Sequence, residues 1–162
     1  MEASKVSWYD GRGNIYTLSE VREIFERRMR SLGQSIIVGS DSHRGRKTHL
    51  IECATALCVW NRDNPKGGWY VFHKSSLPQK NFPSLFDRLY YEVQESIDAA
   101  VSIRDELGLP VAAVHVNVNP QESEASSKYA AAFRGMVEAY GFKCVLKPND
   151  WAAGSVADKH AR

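Results

Sequence analysis

The sequence predicts one α/β domain built on a mixed five-stranded sheet of order 3-2-1-4-5. Strand 2 is antiparallel, helices flank the sheet, and an extra helix precedes it. Three observations carry this. Three strand-like runs follow one another with only turn-forming residues between them, as in an antiparallel meander. Two more runs come later, each after a helical stretch, and strands joined through helices are parallel with right-handed crossovers. The chain has 162 residues, 43% of them hydrophobic and 25% charged, which is enough for one core without disulfide or metal staples.

Residues 1–16 read as an irregular arm. Over 17–32 the apolar positions Leu18, Val21, Ile24, Phe25, Met29 and Leu32 recur at helical spacing; Thr17 with Glu20 forms a capping box, and Gly33 ends the helix. The first strand is 35–41 (SIIVGSD). Residues 49–60 (HLIECATALCVW) form a long run with no break, as expected of a central strand covered on both faces. Turn formers at 61–68 lead into 69–74 (WYVFHK), the third strand. Residues 82–107 form a long amphipathic helix, with Pro83 near its start and Gly108 at its stop. The fourth strand is 111–118 (VAAVHVNV). Asn119 or Ser123 caps the next helix, which ends at Gly141, and 142–147 (FKCVLK) is the fifth strand. Asn149 or Asp150 caps a short last helix rich in small residues.

Composition excludes some classes. The net charge of +2 selects no partner, so a nucleic-acid surface has to come from local clustering. Cys53, Cys58 and Cys144 form no Cys-x-x-Cys pair. Cys53 and Cys58 fall on opposite faces of one strand, as buried thiols in a reducing compartment. The N-terminus MEASKVSWYDGRG lacks an apolar leader core, and no run reaches membrane-spanning length. The expectation is a cytoplasmic protein without membrane contact.

The chemistry is expected where the first strand lies between the second and the fourth. Ligands favour the crevice beyond the carboxyl ends of strands at such a switch point. Asp41 closes the first strand, although it also reads as the start of the turn 42–47. Glu92 borders the apolar stripe of the long helix, near Leu85 and Ile103, where a carboxylate can reach the end of the sheet; an ordinary boundary glutamate reads the same way. Glu95 and Asp98 are expected to face solvent. On the fourth strand Val114, Val116 and Val118 take one face, and His115, Asn117 and Asn119 the other. In the last helix, small residues permit close approach to the sheet and carry Asp158 toward the site, unless Asp158 is only a solvated charge at a frayed end.

The segment IIVGSDSH at 36–43, the strand HVNVNP at 115–120 and the tail KPNDWAAGSVADKHAR at 147–162 resemble the YkuK-type branch of ribonuclease H-like proteins. The resemblance runs from about Gly33 to the end. It implies a ribonuclease H-like domain over 34–162, with 1–33 as arm and helix within one structural unit. It also implies a site holding Mg²⁺ or Mn²⁺. Position by position, Asp41 takes the first-strand carboxylate, Glu92 the acid of the first long helix and Asp158 the acid of the last helix. Where that family has HxDxN, this chain has Asn117 in place of the acid.

Asp41, Glu92, Asn117 and Asp158 are therefore the expected catalytic set, with Asp41, Glu92 and Asp158 as metal ligands. Ser42, His43, Arg44, His115 and Asn119 are the expected substrate contacts. Arg44, Arg46 and Lys47 directly follow Asp41, and Lys/Arg side chains there can neutralise phosphates. The expected function is metal-dependent phosphodiester hydrolysis on RNA or an RNA-containing duplex such as an RNA–DNA hybrid. Because Asn offers one neutral oxygen and does not offset a cation's charge, the alternative is a weakened or inactive module that binds nucleic acid or a protein partner. A small-molecule phosphoesterase is a third reading.

Overall fold

A computed structural model describes residues 6–63, 67–121 and 124–162. Among these, one mixed sheet of seven strands runs in the order β2-β1-β5-β4-β3-β6-β7. Its strands are β1 (Trp8–Tyr9), β2 (Ile15–Tyr16), β3 (Ser35–Arg44), β4 (Leu50–Trp60), β5 (Trp69–Pro78), β6 (Val111–His115) and β7 (Cys144–Val145). β3, β4 and β5 form the antiparallel meander, and β6 and β7 add to β3 in parallel. The five strands from β5 to β7 reproduce the expected order 3-2-1-4-5, with the second of them antiparallel.

The arm at 1–16 needs correction. Within its described part, β1 and β2 form a hairpin that pairs with β5 and extends the sheet. Trp8 is fully buried and meets the His73 ring edge to face at 4.8 Å. The turn between the two strands is held by Asp10. Its carboxylate accepts from the backbone N–H groups of Arg12 and Asn14, and from the Asn14 amide and the Tyr16 hydroxyl. These bonds, the Asn14 amide foremost, hold its pKa down at about 2.

Helix α1 (Leu18–Leu32) has the expected Thr17–Glu20 capping box, and Gly33 ends it at φ 63°, a left-handed conformation that suits glycine. Its Val21 and Phe25 enter the core that α2 (Leu85–Asp105) and α3 (Ala130–Ala139) share with the sheet, so the N-terminal helix packs on the sheet. α2 begins later than expected because Ser84 and Asp87 form a second capping box. Ser123 lies outside the described residues. Asn119 makes a turn instead of a helix cap, its Oδ1 accepting the Gln121 N–H at 3.0 Å. No described helix is long and apolar enough to cross a membrane.

The opposite face of the sheet is covered by the last segment, a π-helical turn at Ala152–Ala157 running into α4 (Asp158–Ala161). Ile37, Ala54, Ala56 and Cys58 pack there against Ala152, Ala157 and Ala161. β3 thus sends even-numbered side chains toward α2 and odd-numbered ones toward α4. Gly39 marks the closest approach: an added Cβ would lie 2.5 Å from the Ala153 nitrogen and 2.7 Å from the Ala152 carbonyl carbon.

Glu95 is a second correction. It is buried, close to His73 with Oε2 3.8 Å from Nε2. Burial raises the carboxyl pKa and lowers that of the imidazole to about 4. Beside this pair, Ser96 donates to Ser40, which shares a 2.9 Å bond with Thr55. The interface between α2 and the sheet is therefore polar near its middle.

Candidate metal centre

β3 runs past the end of the β6 ladder, whose last partner on β3 is Gly39. Asp41 and His43 lie beyond that point on the α4 face, two residues apart and so side by side. Asp158, the first residue of α4, closes on them. His43 Nε2 sits 2.7 Å from Asp158 Oδ1 and 3.1 Å from Asp41 Oδ2. One ligand atom from each of the three falls within 4.8 Å of the others, making them a group able to hold a metal ion. Asn117, two residues past the end of β6, donates its amide N–H to Asp41 Oδ1 at 2.7 Å.

The electrostatics follow from this crowding. Burial, followed by the Asp158 carboxylate, pushes Asp41 up to about 6 despite His43. Burial pushes Asp158 upward too, but hydrogen bonds with Asp41, His43 and Arg162 outweigh it and hold its pKa below the usual value. Like charges this close favour one shared proton.

A cleft of about 600 Å³ opens above these groups. Asp41, His43, Asn117 and Asp158 line it, with Ser42 and Asn119, and Arg88, Lys147 and Arg162 bring positive charge to its walls. A model of the ribonuclease H-like family matches residues 17–162. The chain belongs to the ribonuclease H-like family. The match takes in α1, which the sequence motifs alone left outside. No curated protein and no solved structure matches the chain.

Within this ribonuclease H-like frame, the expected residues separate. Asp41 and Asp158 come together, with Asn117 against them. Glu92 does not join them. Its Oε2 accepts the Ser42 hydroxyl at 2.5 Å, on the α2 side of the sheet, and it is not among the residues lining the cleft. Burial, and then the Asp41 charge, raise its pKa well above the ordinary value. Arg44 is exposed and borders a different depression, with Ile51 and Phe82. His115 is buried behind the site. Its Nδ1 accepts the Ala152 N–H at 3.0 Å, supplying the cap that Asn149 or Asp150 was expected to give. Burial lowers the His115 pKa to about 4.

Two residues have places that the sequence did not assign them. His43, expected as a substrate contact, belongs to the carboxylate cluster because β3 continues to Arg44. Asp150 is buried and lines the cleft, with an Oδ2 that has no hydrogen-bond partner among the described residues. Asn117 Oδ1 is likewise buried without a partner. An orphaned buried oxygen beside two carboxylates and an imidazole is the donor set a divalent cation satisfies, so the residues present fit a metal.

Proposed function

We propose that this chain is a divalent-metal-dependent phosphodiesterase acting on RNA or an RNA-containing duplex. The observation that carries the reading is the meeting of Asp41, His43 and Asp158 in a basic-walled cleft, beside the unpartnered Asn117 oxygen. Asp41, Asp158 and Asn117 would hold the cation by oxygen, with His43 as the nitrogen donor. Imidazole mixed with carboxylates favours Mn²⁺ over Mg²⁺. Bound there, the cation supplies Lewis-acid stabilisation of phosphoryl charge and acidifies water.

The protein's own groups orient and neutralise. Asn117 Nδ2 fixes the rotamer of Asp41. Arg162 Nε holds Asp158 Oδ2 at 3.1 Å, turning Oδ1 toward His43. Arg88 and Lys147 face the cleft where backbone phosphates would lie, positioning the strand without reading its sequence. Glu92 acts from behind, through the Ser42 hydroxyl next to Asp41.

The test is cleavage of RNA, RNA–DNA hybrid and single-stranded DNA with Mn²⁺ or Mg²⁺, beside Asp41→Asn and Asp158→Asn. Both variants should lose at least about 100-fold in rate, the scale of removing a group that stabilises transition-state charge. Undiminished cleavage by Asp41→Asn would overturn the mechanism. Asn117 favours a second reading, a binding module with weak or no catalysis. That reading expects nucleic-acid binding that survives EDTA and no hydrolysis of any polymer.

A further inference from the structure

A second groove, of about 730 Å³, runs beside the edge strand β7. It shares Lys147, Pro148 and Trp151 with the Asp41 cleft, so the two depressions adjoin along these residues. Its described lining holds four cationic side chains, Arg62, Arg134, Lys143 and Lys147, and no carboxylate. All four are exposed. Arg134 has other partners, the Cys144 carbonyl at 3.4 Å and Glu138 at 3.9 Å.

Along the floor runs a chain of rings. His115 meets Trp151 edge to face at 5.1 Å, and Trp151 meets Trp60 at 5.3 Å. Trp60 and Trp151 are only half-buried. Trp151 also packs against the apolar cluster on this face, whereas Trp60 lies outside that cluster. Held tryptophans among cations, with no acid in the lining, offer π-faces to bases and charge to phosphates. Paired bases hide their faces inside a duplex, whereas unpaired ones can lie flat on an indole.

We propose that this groove holds an unpaired stretch of nucleic-acid strand, continuous with the strand engaged in the Asp41 cleft. The substrate would then have a single-stranded segment flanking the scissile bond, stacked on Trp60 and neutralised by Arg62 and Lys143. The assignment rests on the nucleic-acid part of the proposed function but not on catalysis.

The experiment measures binding in EDTA by anisotropy of an end-labelled oligouridine of about 12 nucleotides, within the usual site size. A blunt duplex of equal length and a polyglutamate competitor run beside it. Trp60→Ala should weaken single-strand binding about tenfold, the scale of one lost stacking contact. Arg62→Ala with Lys143→Ala, both exposed and safe for folding, should do likewise and reduce the salt slope by about 0.7 for each phosphate contact removed. Hydrolysis of bis(p-nitrophenyl) phosphate with Mn²⁺, a diester too small to reach the groove, should be unchanged in both. Failure of that hydrolysis in the unaltered protein, with the expected binding losses intact, sinks catalysis and supports the groove. Equal single-strand affinity in all three proteins overturns the groove, as does a blunt duplex equally sensitive to the substitutions, or polyglutamate competing as well as the oligonucleotide.

Discussion

At Asp41, burial and a neighbouring carboxylate act in the same direction, and the pKa rises to about 6. A raised carboxyl pKa stabilises the fold below the unfolded value of 3.8 and ceases to do so as pH climbs through about 6. At pH 7.5 the metal-free protein therefore carries a costly charge, and Asp41→Asn should raise its melting temperature while removing the response to Mn²⁺. A lower melting temperature would contradict that account. Glu92→Gln keeps an acceptor for Ser42 and should leave Mn²⁺ affinity within about threefold; a loss as large as that of Asp41→Asn would return Glu92 to the metal shell. His115 has the opposite sign. Its ring is neutral above pH 6.5 whether folded or not, and between 6.5 and about 4 only the unfolded chain takes up the proton. Stability is lost over that window as pH falls, by up to about 3 kcal/mol. His115→Gln should flatten the fall seen by denaturant unfolding at pH 7, 5.5 and 4.5; parallel curves would refute it. Asp41 was legible in the sequence because it closes a short apolar run. His43 was legible only as a substrate contact and not as a partner of the carboxylates, because the polar residues after Asp41 read as a turn, while pairing with β4 carries the strand to Arg44.

Between elements, the decisive contact is β3 against the last helix. Gly39 has no room for a side chain, and its neighbours there are backbone atoms. Gly39→Val should cost at least about 1–3 kcal/mol by overpacking. It should also push Asp158 away from Asp41, so Mn²⁺ binding falls further than stability alone accounts for. Retained affinity in a destabilised variant would show that the helix adapts without moving its acid. The small-residue run at 152–157 made this approach readable from sequence. The α2 interface was less readable. Periodicity locates apolar stripes, and Glu95 and Ser96 are buried beside His73 and Ser40, positions that a count of hydrophobic residues treats as solvent-facing.

For the whole molecule, the order of the five main strands followed from turns and crossovers, while the N-terminal hairpin escaped notice. Strands of two residues leave no alternation to read, and only the tertiary burial of Trp8 reveals them. Trp8→Ala should cost about 3–5 kcal/mol. It should also free the β5 edge, raising aggregation on heating; an unchanged unfolding midpoint would mean that the hairpin is dispensable. Mn²⁺ at about 100 times its dissociation constant should stabilise the protein by about 2.7 kcal/mol, reversibly with EDTA, and an unmoved melting temperature would speak against a bound ion.

The strict alternation along β3 has an evolutionary and engineering corollary. Even-numbered side chains of that strand pack toward α2, while odd-numbered ones pack on the last helix at Ile37 and carry the site at Asp41 and His43, so inserting or deleting a single residue upstream of Asp41 would swap the two faces at once. Length changes in this strand should therefore be lethal to activity and folding together, whereas point substitutions can separate them.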